Sequence, residues 1–279
     1  MDSKNTISFG GINLGIKLLA LDLDGTLLNQ NQKISQRNIR VINKAKENGV
    51  NIVIATGRTN LGAENYFKEL GLQEYLISYN GALIQNIREN IIIKHIPLPL
   101  DKTLEILDFV NENNLYANLY LNNNVYANKA GEELEYYKRI MNIEPILIEG
   151  RIDKFLNKPS TKLLIIEKNL VKVDEILSVL RNNFSSSLNI TKSIEDCIDV
   201  MSKNVSKGKA LSDLTSKLGI KPEEVAAVGD GDNDLEMIKF AGRSAAVANA
   251  ETSIKENADY ITASNDEHGV AEFIEKFIL

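Results

Sequence analysis

Short apolar runs alternate with amphipathic segments in the first third of the chain. Residues Leu18–Leu21 are all apolar and Asp22 follows them directly, a pattern typical of a strand buried on both faces of a parallel sheet. Ser35 can cap the helical pattern that comes next, and a glycine ends each of the two helical patterns. The predicted strands are 18–21, 50–55 and 76–78, and the predicted helices are 35–48 and 60–70. This order predicts right-handed βαβ units.

The same alternation returns near the C-terminus, after a middle stretch rich in Asn, Tyr and Ile. The C-terminal part has predicted helices at 206–218, 235–240 and 266–278 and predicted strands at 225–228 and 245–248. The middle stretch has predicted strands at 115–121 and 162–167 and predicted helices at 103–113, 132–141 and 171–182. We expect an α/β protein with a doubly wound parallel-sheet (Rossmann-like) core formed by residues 1–82 and 192–279. Residues 83–191 would form an inserted α+β cap domain that selects the substrate.

Composition and charge exclude several classes of protein. The 279 residues carry 32 Lys and Arg against 38 Asp and Glu, a net charge of −6, and the basic residues form no stripe of the kind that binds nucleic acid. The single cysteine, Cys197, excludes an intrachain disulfide framework and a cysteine-based zinc site. The longest apolar runs are far shorter than the roughly 18 residues of a membrane-spanning helix. Residues Met1–Gly15 lack the apolar segment of a signal peptide, so we expect a loose N-terminal arm and a cytoplasmic protein.

Two carboxylates follow the first predicted strand. Asp22 and Asp24 are two residues apart, so their side chains leave the chain on the same side. In open α/β sheets, ligands bind beyond the carboxyl ends of the strands. Two neighbouring carboxylates repel each other unless a cation joins them, and Mg²⁺ binds through one or two carboxylates together with substrate phosphate. A metal-bound aspartate can also be a nucleophile that forms an aspartyl-phosphate.

Three further segments carry polar groups suited to the same chemistry. The segment Gly229–Asp234 follows a predicted strand and contains three aspartates, so it can supply metal ligands from a second strand end. Thr56 and Gly57 come after another predicted strand and offer a hydroxyl and backbone N–H groups to an anion. Lys207 opens a predicted helix, where the helix N-terminus and the lysine charge both favour phosphate.

Together these segments resemble the motifs of the haloacid dehalogenase superfamily of phosphotransferases, in particular the Cof-like branch with a large α/β cap. The first motif is Asp22–Leu27, the second centres on Thr56, the third is Lys207 and the fourth is Gly229–Asp234. Residues 78–82 and 248–250 are also similar to segments of this branch. The predicted cap lies between the second and third motifs, where the branch has it.

The resemblance implies a role for each matching residue. Asp22 would attack phosphorus and carry the aspartyl-phosphate, and Asp24 would protonate the leaving oxygen and later activate water. The implied phosphate-binding residues are Leu23, Thr56, Gly57, Lys207 and Asn233. The implied ligands of Mg²⁺ are Asp22, the backbone carbonyl of Asp24, Asp230, and Asp234 acting directly or through water.

We therefore expect a phosphoric monoester hydrolase, specifically a Mg²⁺-dependent phosphatase of a small phosphorylated metabolite such as a sugar phosphate. Its partner would be a small-molecule phosphate ester, with no nucleic acid and no membrane, and the sequence makes no prediction of oligomeric state. Two alternatives stay open, namely a hexose phosphomutase with the same type of cap and a phosphoryl-binding regulator without turnover. It is also open whether Arg58 points at the substrate or pairs with a carboxylate.

Overall fold

The computed structural model describes residues 15–148 and 151–279, and the predicted N-terminal arm therefore falls almost entirely outside the described residues. The strands are β1 (Leu18–Leu21), β2 (Asn51–Ala55), β3 (Tyr75–Ser78), β4 (Leu83–Asn86), β5 (Ile91–His95), β6 (Tyr116–Leu121), β7 (Asn124–Ala127), β8 (Ile146–Leu147), β9 (Lys162–Ile166), β10 (Leu188–Ile194), β11 (Cys197–Ser202), β12 (Val225–Gly229), β13 (Arg243–Ala246) and β14 (Tyr260–Ile261). The α-helices are α1 (Gln36–Glu47), α2 (Asn60–Glu69), α3 (Leu100–Glu112), α4 (Glu132–Met141), α5 (Ile152–Phe155), α6 (Leu170–Phe184), α7 (Lys207–Leu218), α8 (Leu235–Phe240), α9 (Thr252–Lys255) and α10 (Gly269–Phe277). Within these ranges, every helix is too short or too polar to cross a lipid bilayer.

The larger sheet has eight strands in the order β14-β13-β12-β1-β2-β3-β4-β5. Neighbours from β14 to β3 are parallel, and β4 and β5 continue the sheet in the antiparallel sense. In the middle of the sheet, Leu21 of β1 lies opposite Val228 of β12 and Ile54 of β2. All of β1 is buried, as its continuous apolar sequence predicts. The carboxyl ends of β1, β2 and β12 consequently meet at one edge of the sheet.

Capping side chains begin the helices that cover this sheet. Ser35 Oγ accepts a hydrogen bond from Asn38 N at the start of α1, at 3.2 Å, and Ser206 Oγ accepts one from Lys209 N at the start of α7, at 3.1 Å. Such bonds satisfy N–H groups that have no partner within the helix. The predicted bounds of α1, α2 and α7 are confirmed to within one residue. α10 begins three residues later than predicted, because a turn ending at His268, with a φ of +67°, precedes it.

The smaller sheet belongs to the inserted cap and has the order β10-β11-β9-β6-β7-β8. Its strands are antiparallel except for the parallel pair β7 and β8. Alternate residues of β9 enter two apolar clusters. Leu163 and Ile165 pack with residues of α3 and α6, whereas Leu164 and Ile166 lie in a cluster that includes Tyr79 of the core. One face of the cap sheet is therefore covered by its own helices, and the other face is turned toward the core.

Strand pairing divides the core from the cap at different positions from those predicted. The prediction assigns residues 83–95 to the cap, but β4 pairs with β3 of the core sheet and β5 pairs with β4. It assigns residues 192–202 to the core, but β11 pairs with β9 of the cap sheet and β10 pairs with β11. Both segments are antiparallel hairpins, so they lack the intervening helix that marks a βαβ unit in the sequence. We propose boundaries near residues 96 and 203 in place of 82/83 and 191/192.

Candidate active site

A buried lysine joins two of the predicted site aspartates at the carboxyl edge of the core sheet. Lys207 Nζ donates hydrogen bonds to Asp22 Oδ1 and to Asp234 Oδ1, each at 2.6 Å. Asp22 directly follows β1, Asp234 ends the loop after β12, and Lys207 is the first residue of α7. The lysine is fully buried. A charged ammonium deprived of water is stable only beside such anions.

Three carboxylates surround a common point beside this lysine. Asp22, Asp230 and Asp234 each offer an oxygen, and these oxygens lie within 4.8 Å of one another. Asp234 Oδ2 also accepts hydrogen bonds from the backbone N–H groups of Asp230 and Gly231, at 3.0 and 3.1 Å, which fix the loop. Because Lys207 offsets only one of the three carboxylate charges, the cluster fits a divalent cation with oxygen ligands.

Burial and the proximity of other charges shift the pKa values of the carboxylates and of Lys207. Burial raises the pKa of Asp230 to about 7, and repulsion from Asp234 adds to this rise. Burial also raises the pKa of Asp22, in spite of the opposing charge of Lys207. Burial would lower the pKa of Lys207, but Asp22 and Asp234 together outweigh burial and hold that pKa above its usual value. Without a cation, the cluster therefore retains protons that isolated carboxylates would release.

The turn after β1 determines how closely the Asp230 carboxylate can approach the backbone at Gly25. Gly25 has a left-handed φ of +77°, and a Cβ atom at this position would overlap Asp230 Oδ2. Thr26 Oγ1 donates a hydrogen bond to Asp230 Oδ1 at 2.6 Å, and Asn249 Nδ2 donates one to the Gly25 carbonyl at 2.7 Å. Glycine is therefore needed here both for the backbone conformation and for the space that the carboxylate occupies.

The carboxylate of Asp24 is bound by an arginine rather than by this cluster. Arg58 Nε donates to Asp24 Oδ2 at 2.8 Å, and Arg58 Nη2 donates to Asp24 Oδ1 at 2.6 Å. Arg58 also donates to Gln32 Oε1 and lies 5.2 Å above the centre of the Tyr66 ring. Burial lowers the pKa of Arg58, but the hydrogen bond and charge of Asp24 outweigh it and raise the pKa. Of the two possibilities left open by the sequence, Arg58 pairs with a carboxylate in this structure.

The predicted phosphate-binding residues lie around the same strand ends and differ in exposure. Gly57 and Asn233 line a small cavity that also reaches Asp22 and Asp24. Thr56 and Lys207 are fully buried. The side chain of Leu23 belongs to the apolar core, so only its backbone is available to a ligand.

The cap closes over the small cavity in this structure. On the cap side the cavity is lined by Met141, Lys162, Leu164 and Ile194. It encloses about 20 Å³, room for roughly one water molecule. A larger cavity of about 440 Å³ is lined by Asn80 and Asn233 but by neither Asp22 nor Asp24, so we place the chemistry in the smaller one. A phosphate ester can enter there only when the cap moves away from the core.

Two cap residues at this site belong to no predicted motif. Lys162 Nζ lies 2.5 Å from Asp199 Oδ1, and their side chains are 4% and 0% exposed. Lys162 begins the strand Lys-Leu-Leu-Ile-Ile, and Asp199 stands within the strand Cys-Ile-Asp-Val-Met-Ser. Charged residues in otherwise apolar strands are seldom buried without a partner. That pattern is the signal by which sequence analysis could have found this pair.

Comparison with known proteins gives matches along almost the whole chain. The family model for haloacid dehalogenase-like hydrolases matches residues 19–274. The 5-amino-6-(5-phospho-D-ribitylamino)uracil phosphatase YcsE of Bacillus subtilis is 35% identical over 270 residues, covering 96% of this chain and 98% of YcsE. Phosphatase YwpJ of the same organism is 28% identical over 299 residues, covering 94% of this chain and all of YwpJ.

A solved structure shows the same architecture. The crystal structure of a haloacid dehalogenase-like hydrolase from Bacteroides thetaiotaomicron has a TM-score of 0.80 and 32% sequence identity, covering 93% of this chain and 98% of that chain. The matched residues include the core, the inserted cap and all four motif segments. The chain therefore belongs to the haloacid dehalogenase-like hydrolases and is a phosphatase of the Cof-like branch.

Proposed function

We propose that the protein is a Mg²⁺-dependent phosphatase that hydrolyses a small phosphorylated metabolite, a sugar phosphate or a similar compound, through an aspartyl-phosphate on Asp22. The observation that carries this proposal is the buried contact between Asp22 Oδ1 and Lys207 Nζ, at 2.6 Å, beside Asp230 and Asp234. The lysine orients one oxygen of Asp22. Asp22 also lines the small cavity, and we propose that its second oxygen attacks phosphorus.

The proposed reaction has two steps. Asp22 first attacks phosphorus, the bond from phosphorus to the ester oxygen breaks, and Asp24, which has to enter this step protonated, gives its proton to the leaving oxygen. A water molecule then attacks the same phosphorus while Asp24 takes its proton, and the bond to Asp22 breaks to release phosphate. Both oxygens of Asp24 accept hydrogen bonds from Arg58 in this structure. Asp24 must therefore release at least one of these bonds when it transfers a proton.

The phosphoryl oxygens would be held by Lys207, the Thr56 hydroxyl, the Asn233 amide and backbone N–H groups of Leu23 and Gly57. Thr56 Oγ1 accepts a hydrogen bond from the backbone N–H of Arg58 at 3.1 Å. The hydroxyl proton of Thr56 is consequently available to a phosphoryl oxygen. These roles agree with phosphoryl transfer in general, in which the protein mainly positions groups and neutralises charge.

The residues present fit Mg²⁺. The donors are carboxylate oxygens, two of their charges are uncompensated, and Gly25 leaves the room that Asp230 needs. We propose that Asp22, Asp230, Asp234 and the carbonyl of Asp24 hold the cation. Once bound, Mg²⁺ supplies charge neutralisation for the phosphoryl group.

Phosphate release from p-nitrophenyl phosphate and a panel of sugar phosphates tests this proposal. The panel includes the phosphorylated ribitylaminouracil for which YcsE is named. We expect release with MgCl₂ and none with EDTA, and we expect Asp22→Asn to be inactive. Asp232→Asn is the matched control, because Asp232 lies in the same loop but pairs with Arg181 of the cap at 2.7 Å.

Two results would overturn the proposal. One is a wild-type protein as inactive as Asp22→Asn on every substrate, and the other is an Asp22→Asn variant as active as the wild type. Isomerisation of a hexose phosphate without phosphate release would instead identify a phosphomutase.

A further inference from the structure

An ion pair in the cap is connected by hydrogen bonds to the loops that carry the proposed phosphate-binding side chains. The pair consists of Lys162 in β9 and Asp199 in β11, neighbouring strands of the cap sheet, with 2.5 Å between Nζ and Oδ1. Both side chains lie on the face of the sheet that is turned toward the core. We call four connected residues the cap relay: Lys162 and Asp199 in the cap, and Gly57 and Asn80 in the core.

The first arm of the cap relay leads to Thr56. Lys162 Nζ donates a hydrogen bond to the backbone carbonyl of Gly57 at 3.1 Å. The N–H group of the same peptide unit belongs to Arg58 and donates to Thr56 Oγ1 at 3.1 Å. The peptide is thus held at both ends. Because the Arg58 N–H group donates to the Thr56 oxygen, the proton of the Thr56 hydroxyl must point in another direction.

The second arm leads to Asn233. Asp199 Oδ2 accepts a hydrogen bond from Asn80 Nδ2 at 2.7 Å, and Asn80 Oδ1 accepts one from Asn233 Nδ2 at 2.9 Å. A carboxylate only accepts, so Asp199 fixes which end of the Asn80 amide faces the cap. The other end, an oxygen, then fixes the orientation of the Asn233 amide. Asn80 is also tied to the first arm, since its backbone N–H donates to the Thr56 carbonyl at 2.9 Å.

Lys162 lines the small cavity, but its ammonium group is engaged by other groups of the protein. Its ammonium group has Asp199 and the Gly57 carbonyl as partners and lies 5.1 Å from the centre of the Tyr120 ring. Its side chain is 4% exposed. An ammonium with these three neighbours is already stabilised where it stands.

We propose that Lys162 and Asp199 are positioning residues that align the Thr56 hydroxyl and the Asn233 amide for the phosphoryl group when the cap is closed. This inference rests on the proposed function, because it assigns the two side chains their task in that reaction. When the cap withdraws, Lys162 leaves the Gly57 carbonyl and Asp199 leaves Asn80. The phosphate-binding groups then lose their fixed orientation until the cap closes again.

The test uses Lys162→Met and Asp199→Asn, which keep size and remove charge. We measure kcat and KM for p-nitrophenyl phosphate and two sugar phosphates of different size, and inhibition by orthovanadate with Mg²⁺. We expect kcat to fall roughly tenfold for every substrate and vanadate to bind roughly tenfold more weakly. KM should change by less than about twofold, and the double variant should be no slower than the slower single variant.

A matched control comes from Lys94 and Asp213, another pair with 2.5 Å between Nζ and Oδ2 whose side chains are each 42% exposed. We expect Lys94→Met and Asp213→Asn to keep wild-type kinetics. The proposal is overturned if the control variants lose as much activity, or if Lys162→Met leaves kcat unchanged. A loss confined to one leaving group would also overturn it, because it would show that Lys162 contacts the substrate directly.

Two further measurements keep the test independent of folding defects and of the proposed function. Asn80→Gly removes the amide without backbone strain, because Asn80 has a left-handed φ of +53°, and it should lower kcat as Asp199→Asn does. Hydrogen exchange of the Arg58 amide reports the first arm without any substrate. Exchange should be at least about tenfold faster in Lys162→Met than in Lys94→Met, and equal rates would overturn the inference even if the wild type proved inactive on the whole panel.

Discussion

The guanidinium of Arg58 holds Asp24 side by side, with Nε 2.8 Å from Oδ2 and Nη2 2.6 Å from Oδ1. This geometry requires the planar fork of arginine, which a lysine ammonium cannot reproduce. Arg58 is itself fixed by Gln32 and Tyr66. The orientation of Asp24, the proposed acid in the first motif, therefore depends on Arg58, which lies close to Thr56 of the second motif.

Replacing Arg58 by lysine should slow the reaction although the charge is kept. Arg58→Lys loses the paired hydrogen bonds that orient Asp24, so we expect kcat for p-nitrophenyl phosphate to fall roughly tenfold. Arg37→Lys serves as the control, because Arg37 makes a comparable two-nitrogen contact with Glu275 on the surface, where both side chains are about two-fifths exposed. Wild-type kcat in Arg58→Lys would contradict this role.

Lys207 stabilises the fold by offsetting buried carboxylate charge. Lys207→Met leaves Asp22 and Asp234 without their cation, and we expect the free energy of unfolding at pH 8 without metal to fall by about 3–5 kcal/mol. The loss should be smaller at pH 5, because Asp22, whose pKa burial raises, can then take up a proton. Urea denaturation at both pH values measures it.

Lys209→Met is the control for this experiment. Lys209 lies in the same helix but is exposed, so its replacement should change the free energy of unfolding by less than about 0.5 kcal/mol. Equal losses at pH 5 and pH 8 in Lys207→Met would show that packing, and not charge, is what Lys207 supplies.

The parallel core and the position of most candidate site residues at one edge of it could be predicted because both follow from local patterns. A strand buried on both faces must be apolar throughout, so β1 is visible in the sequence, and the chain direction in parallel sheets places Asp22 and Asp230 at one edge. Ser35 and Ser206 mark helix starts through their own caps. None of these inferences requires knowledge of a distant partner.

Long-range pairing explains what the sequence did not reveal. The hairpins β4–β5 and β10–β11 have the same local pattern whichever sheet they join, and only their pairing with β3 or β9 decides the domain. The contact of Lys162 with Asp199 joins two strands across an intervening helix and strand. Local periodicity does not encode such a pairing between strands that are distant in the sequence.

Metal-free protein should lose stability as pH rises from about 5 to 8. Burial raises the pKa of Asp230 to about 7 in the folded state, whereas the unfolded chain has a pKa near 3.9. Between these values the folded state keeps a proton that the unfolded state releases, so the free energy of unfolding falls with rising pH. Asp22 shifts in the same direction. Thermal denaturation in EDTA at pH 5.5 and pH 8 measures this change.

Mg²⁺ should reverse this trend. The cation binds the ionised carboxylates, so its stabilising effect should be larger at pH 8 than at pH 5.5. Asp230→Asn removes one titrating group and should flatten the pH dependence. Glu224 and Glu272 titrate below this window, because hydrogen bonds lower their pKa, whereas His95, whose pKa burial lowers, acts against the trend equally in wild type and Asp230→Asn. A metal-free stability that rises between pH 5.5 and pH 8 would contradict the prediction.

Two glycine substitutions separate backbone strain from access to the metal. Gly25 and Gly49 both adopt a left-handed φ, of +77° and +85°, so alanine should cost each about 1 kcal/mol of stability. At Gly49 the added Cβ meets open space, whereas at Gly25 it overlaps Asp230 Oδ2. Thermal denaturation should show a larger loss for Gly25→Ala, because the Asp230 carboxylate must also move and gives up its hydrogen bond from Thr26.

Only Gly25→Ala should change the requirement for Mg²⁺. The Cβ pushes the Asp230 carboxylate away from Asp22 and Asp234, and we expect the Mg²⁺ concentration for half-maximal phosphatase activity to rise at least about tenfold, as when a metal ligand is misplaced. Gly49→Ala should keep the wild-type requirement, since it carries the same backbone penalty without touching the carboxylates. Equal Mg²⁺ curves for the two variants would mean that Asp230 does not hold the cation, and the metal would then have to be assigned to Asp22, Asp234 and the carbonyl of Asp24.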